Sequence, residues 1–187
     1  MTALNPGLVG DRLAEIARAL PRPRAIVVAS AHWLGRQALV GGAQVPDTIH
    51  DFGGFPQALF DIQYPAPGDA ALAQRVAALI GAAGLPVAID PQRGFDHGVW
   101  VPLRMLYPAA DIPVVPLSIQ PLLGPAHQLA LGRALAPLRD DGVLIVGSGS
   151  ITHNLHDWHG GYGEGGNAPY VLPFVEWGGS RLGENWL

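Results

Sequence analysis

The chain alternates short, unbroken apolar runs with longer stretches in which apolar residues recur at helical spacing. The most uniform run is Ala25-Ile26-Val27-Val28-Ala29, which passes through Ser30-Ala31 into His32-Trp33. Small and β-branched residues in succession, with no polar alternation, predict a strand covered on both faces, as in a parallel sheet with helices above and below. Further strands are predicted over residues 38–41, 86–90, 113–119 and 143–146. Over 8–20, Leu13, Ile16, Ala17 and Leu20 form a predicted buried stripe, with Asp11, Arg12, Glu15 and Arg18 opposite. Pro21 and Pro23 end that helix. Asp69 caps a second helix running to 83, with Leu72, Val76, Leu79 and Ile80 inward and Gly84 as its stop. Shorter helices are predicted over 100–106 and 170–177, and a longer one over 125–139.

This alternation predicts an α/β fold: a single domain with a largely parallel sheet flanked by helices and an active site at the carboxyl edge of the strands. The predicted domain spans 1–177, and the tail 178–187 has no readable period. Residues 42–68 form a long connection rich in glycine and aromatic residues, and loops beyond about 12–15 residues are usually functional or disordered.

Three predicted strands lead into a histidine. The first delivers His32, the strand over 86–90 leads to Gly94-Phe95-Asp96-His97-Gly98, and the strand over 143–146 leads to Ser148-Gly149-Ser150-Ile151-Thr152-His153-Asn154. Open α/β sheets bind ligands where such loops converge, so His32, His97 and His153 are expected around one cleft. His50 lies in the long aromatic connection. His127 sits inside a predicted helix among ordinary neighbours and reads as structural, and His156 and His159 carry no assignment. Clustered neutral imidazoles suit a divalent metal such as iron or zinc, or acid/base work near neutral pH.

Composition narrows the chemistry. Hydrophobic residues make up 49% of the 187-residue chain and charged residues 14%, well below the roughly 25% charge of typical soluble domains. So much apolar sequence predicts extensive burial or a face covered by a second copy, a homo-oligomer. A net charge of -4 offers no basic stripe and argues against a nucleic-acid partner. Without cysteine, a metal must be held by His, Asp, Glu or other oxygen donors. No apolar run reaches the roughly eighteen residues of a membrane span, and the first residues lack a secretion-signal pattern. The expected location is the cytoplasm.

Five motifs, taken together, resemble the DOPA-dioxygenase type of class III extradiol ring-cleavage dioxygenases. They are Ser30-Ala31-His32-Trp33, Thr48-Ile49-His50-Asp51-Phe52-Gly53-Gly54-Phe55-Pro56, Tyr64-Pro65-Ala66-Pro67-Gly68, Gly94-Phe95-Asp96-His97-Gly98 and Ser148-Gly149-Ser150-Ile151-Thr152-His153-Asn154. The resemblance implies a mononuclear non-haem Fe(II) enzyme, with zinc as the other metal to consider, that opens a catechol such as DOPA or protocatechuate using O2. It implies His32 as a metal ligand, His153 as base or additional ligand, and His97 as the residue assisting substrate and oxygen. His50, Phe52, Phe55 and Trp100 would line the substrate site. A His-Gly-Ser-Pro ligand motif and a C-terminal ligand segment, both part of the pattern, have no counterpart here. On that reading the chain is truncated at both ends and is expected to be inactive by itself. Two other functions fit the same histidines: a zinc hydrolase, with Asp51, Asp96 or Asp157 as general base, and a non-catalytic binding module.

Overall fold

The computed structural model describes residues 3–150 and 168–183. They fall into two compact units, 1–149 and 150–187, considered separately below.

The first unit carries the sheet. Helix α1 (Gly7–Ala19) precedes strand β1 (Ala25–Leu34), β2 (Ala38–Gly41), α2 (Gln57–Phe60) and α3 (Ala70–Ala82). Strand β3 (Val87–Asp90), α4 (His97–Leu106), β4 (Val114–Ile119), a 3-10 turn (Pro121–Leu123), α5 (Gly124–Ala134), α6 (Pro137–Asp140) and β5 (Val143–Ser148) follow. The strand order is β3-β2-β4-β1-β5. The predicted α/β architecture with a largely parallel sheet is therefore present, and the apolar run of β1 lies beside β4 on one side and β5 on the other, parallel to both.

One part of the expected geometry differs. β2 meets β4 antiparallel, at Val40 and Leu117, and β3 runs parallel to β2. Strand β3 thus points the opposite way from β1 and β5. A common strand direction cannot carry His97 to the site of His32. The chain instead turns back after β3, Phe95 bridges to Thr48, and His97 arrives as the first residue of α4.

Alternation along β1 divides the core. Ile26 and Val28 face Tyr64, Phe95, Trp100, Leu103 and Val114, while Ala25 and Val27 face Leu72, Val76, Ile80, Leu131 and Leu138. Helix α3 begins and ends as its sequence predicts. The Asp69 side chain accepts from the Leu72 N–H at 2.8 Å, and Gly84 takes φ +74°, a left-handed conformation that glycine adopts without steric cost.

Several predicted boundaries shift. In α1, Ile16 and Leu20 are exposed despite their place on the apolar stripe; Leu13 and Ala17 are the residues that pack on the core. The helix predicted over 125–139 is two, α5 and α6, because Pro137 has no N–H to continue the ladder and starts a new turn instead. Helix α4 starts at His97, one turn before the predicted 100. Within the second unit, helix α7 (Val171–Gly183) runs past Trp177 into the tail. Phe174 and Trp177, three apart on one face, stack with centroids 5.7 Å apart. The Ser180 hydroxyl donates to the Trp177 carbonyl, supporting the turn that contains Gly178 and Gly179.

Candidate active site

His32 owes its position to an irregularity in the central strand. Ser30 pairs with Ser118 and Leu34 with Ile119, so the register against β4 shifts across Ala31, His32 and Trp33. Extra residues of this kind bend a strand and redirect its side chains, and they recur beside active sites. His32 is exposed, whereas the neighbouring Trp33 is buried.

A buried polar network holds this bend against the start of α4. The Ser30 hydroxyl donates to Asp96 Oδ1 at 2.6 Å and accepts from the His32 backbone N–H at 3.2 Å. Arg93 donates to Asp96 Oδ2 at 2.7 Å and lies over the Trp33 ring, 4.7 Å from its centroid. Asp96 is fully buried, so its charge is tolerable only because both oxygens are engaged. The packing leaves no room for a side chain at position 98. A Cβ there would collide with Ser30 Oγ and press on Asp96 Oδ1 and His32 Cδ2, each at 3.1 Å. Glycine lets β1 and α4 approach closely enough for their histidines to touch.

The His32 and His97 rings lie 3.8 Å apart between centroids. Asp51, from the long connection, joins them: its Oδ1 accepts from the His97 backbone N–H and from Nδ1, both at 2.9 Å. Burial pushes the Asp51 carboxyl up, but the hydrogen bonds and charge of His97 outweigh that and hold it below the usual carboxylate range. One potential ligand atom from each of His32, Asp51 and His97 lies within 4.8 Å of the other two. Two imidazoles and a carboxylate are the donor types that suit divalent iron or zinc, so these residues fit such a metal.

An apolar cleft of about 200 Å³ adjoins the histidines, lined by Ala3, Phe52, Phe55, Leu59, His97, Trp100 and Val101. Phe52 meets Phe55 and His97 edge-on, with centroids 5.6 Å apart in both cases. The buried Trp100 donates its indole N–H to the Ile49 carbonyl at 3.0 Å, which ties the aromatic connection to α4.

The structure thus brings His32, His97, Phe52, Phe55 and Trp100 together. His50 stands behind this wall, where its Nε2 lies 3.0 Å from the Ile62 carbonyl and its ring packs on Phe52, Phe60 and Trp100. It is not among the residues lining the cleft. His127 faces a different place, with its Nε2 3.2 Å from Gln120 Oε1. His153, His156, His159 and Asp157 lie outside the described residues. Sequence reasoning noted Asp51 only as an acid near a histidine and missed its bond to His97, since the two are 46 positions apart. The Ser30, Arg93 and Asp96 network was also missed, although Asp96 adjoins His97 and Ser30 opens the His32 motif.

Known proteins resemble this chain over most of its length. The family described as the catalytic LigB subunit of aromatic ring-opening dioxygenase matches residues 9–178. The chain is 47% identical over 180 residues to 4,5-DOPA dioxygenase extradiol of Escherichia coli (strain K12), a match covering 95% of this chain and 65% of that protein. It is 52% identical over 133 residues to 4,5-DOPA dioxygenase extradiol of Beta vulgaris, covering 71% of this chain and 50% of that one. The crystal structure of an uncharacterized protein from Escherichia coli K12 superposes with a TM-score of 0.76 at 40% identity, covering 94% of this chain and 66% of that one. These matches span one half to two thirds of each relative's own length.

Proposed function

The chain belongs to the family of the catalytic LigB subunit of aromatic ring-opening dioxygenases, and from that premise we propose that its histidine cleft opens the ring of a catechol beside the two hydroxyls, with O2 as co-substrate and Fe(II) as the metal. The observation that carries this reading is the contact of two imidazoles, His32 and His97, beside an aromatic cleft. A DOPA- or protocatechuate-like catechol is flat and apolar on its faces. Phe52, Phe55 and Trp100 offer surfaces of matching character, and their burial of the ring would keep water from reactive oxygen species.

In this reading His32 holds the metal, with His153 as a further ligand or as the base. The metal, when bound, supplies open coordination positions and the redox chemistry that triplet O2 needs. The protein's own task is to place the catechol and manage its protons. A positioned imidazole can accept a phenolic proton and return it later, an effect worth roughly 10²–10⁴ in rate. His97 is suitably placed at the cleft wall, and the network around Asp96 keeps it beside His32.

Anaerobic loading with Fe(II), then oxygen uptake with DOPA or protocatechuate, tests the proposal. Because the chain itself carries the histidine cleft, uptake is expected here rather than the inactivity that the two absent motifs imply: one O2 consumed per catechol, both oxygen atoms entering the ring-opened product. Tight zinc binding without uptake would favour a hydrolase, and neither metal nor uptake a binding module.

A further inference from the structure

Asp51 has a second place in the site besides its nearness to both histidines. His97 is the first residue of α4, and its backbone N–H belongs to the donors that a helix leaves unsatisfied at its start. The residue in the capping position, Asp96, makes no capping bond because its carboxylate is engaged with Ser30 and Arg93. Asp51 takes over from elsewhere in the chain, and the same Oδ1 also meets the ring at Nδ1. One oxygen therefore grips both the backbone and the imidazole of His97, which restricts the side chain's rotation as well as its location.

The bond to Nδ1 has a chemical consequence. An ionised carboxylate can only accept, so Nδ1 must carry the hydrogen. A neutral imidazole has one N–H, which leaves Nε2 with its lone pair. We propose that Asp51 is a positioning residue that holds neutral His97 in its Nδ1–H form, so that the ring lining the cleft presents Nε2 as a proton acceptor. This rests on the ring-opening reading for its purpose. In that reaction His97 would begin by taking a proton from a catechol hydroxyl, and only the resulting imidazolium could then donate from Nε2. The carboxylate also fixes the orientation of the ring, in the way carboxylates behind metal-site histidines orient them.

The test uses the full 187-residue chain without metal, labelled with 15N, at a pH of about 8 where ordinary imidazoles are neutral. Long-range 1H–15N correlations distinguish protonated from unprotonated ring nitrogens, and His97→Gln identifies the His97 signals by their loss. Wild-type His97 is expected to show a protonated Nδ1 and an unprotonated Nε2. Asp51→Ala should move it toward the Nε2–H form. Asp51→Asn, whose amide oxygen can still accept both bonds, should restore the Nδ1–H pattern. A wild-type His97 protonated at Nε2 would overturn the proposal, with no need for a variant that folds. An unchanged pattern in folded Asp51→Ala would overturn it too. The expected tautomer in a protein that consumes no O2 with catechols would leave the role of Asp51 standing and reject the ring-opening reading.

Discussion

The two faces of the sheet share β1 but are built from different materials. Toward α1 and α4, Ile26 and Val28 meet Tyr64, Phe95, Trp100 and Tyr107, large rings of which three carry a polar atom. Toward α3, α5 and α6, Ala25 and Val27 meet leucines, isoleucine and valines. Branched aliphatic side chains interdigitate without directional demands. Rings with N–H and O–H groups leave angular gaps, and two of these are anchored, Trp100 on the Ile49 carbonyl and Tyr64 on the Tyr107 carbonyl. The cleft and both placed histidines belong to the aromatic side. Stability without specialised chemistry resides on the aliphatic one, so substitutions on the two faces should separate activity from stability.

The largest effect expected is kinetic. His97→Gln, at a half-buried position in the cleft wall, should lower kcat by roughly 10²–10⁴ if the imidazole moves a proton, with only a small change in unfolding free energy. Steady-state oxygen uptake alongside urea denaturation measures both; an unchanged kcat would remove His97 from the reaction. Trp100→Ala should act on both quantities. It deletes a fully buried ring and its bond to Ile49, and changes of this kind cost about 3–5 kcal/mol. It also opens the cleft, so KM for the catechol should rise.

Ile80→Ala provides the contrast. Ile80 is fully buried on α3 in the aliphatic face, where the loss should be about 2–5 kcal/mol. The folded fraction should keep wild-type kcat and KM. A changed KM would mean that the faces are coupled through β1 more tightly than their separate packing suggests.

This contrast also explains what could be read in advance. The aliphatic face follows from local pattern: Asp69 caps α3, Leu72, Val76 and Ile80 fall at helical spacing, and the sheet covers them. The aromatic face depends on meetings between residues remote in sequence, such as Asp51 with His97 and Ser30 with Asp96. Periodicity does not report such pairs. The motif around His32 marks its importance, but the register shift against β4 between Ser30 and Leu34 that aims it depends on how two remote strands meet. Strand direction was equally hidden, since four residues in β3 read the same whichever way the strand runs. The exposed Ile16 and Leu20 show the reverse limit: helical spacing can mark an apolar stripe without saying how much of it the core covers.

The smallest predicted effect probes the anchoring of the aromatic face. Tyr64 is nearly inaccessible and its hydroxyl donates to the Tyr107 carbonyl at 3.0 Å. Removing it in Tyr64→Phe should cost about 1 kcal/mol near neutral pH, partly offset by the apolar replacement. Alkaline pH should shrink that difference. Burial raises the Tyr64 phenol well above its ordinary value, helped by the negative charge of Asp111 and by Tyr107. The neutral phenol's contribution to stability is therefore complete below the unfolded-state value of about 10. Above it, the unfolded chain ionises first, and stability falls as pH rises toward the folded-state value. Tyr107 is raised in the same direction by burial, against the opposing charge of Arg22, so some alkaline loss should persist in the variant. Urea midpoints from pH 8 to 11 should decline more steeply for wild type than for Tyr64→Phe. Parallel curves would mean that Tyr64 ionises as readily in the folded chain as in the unfolded one, and that this face opens to solvent at its anchor.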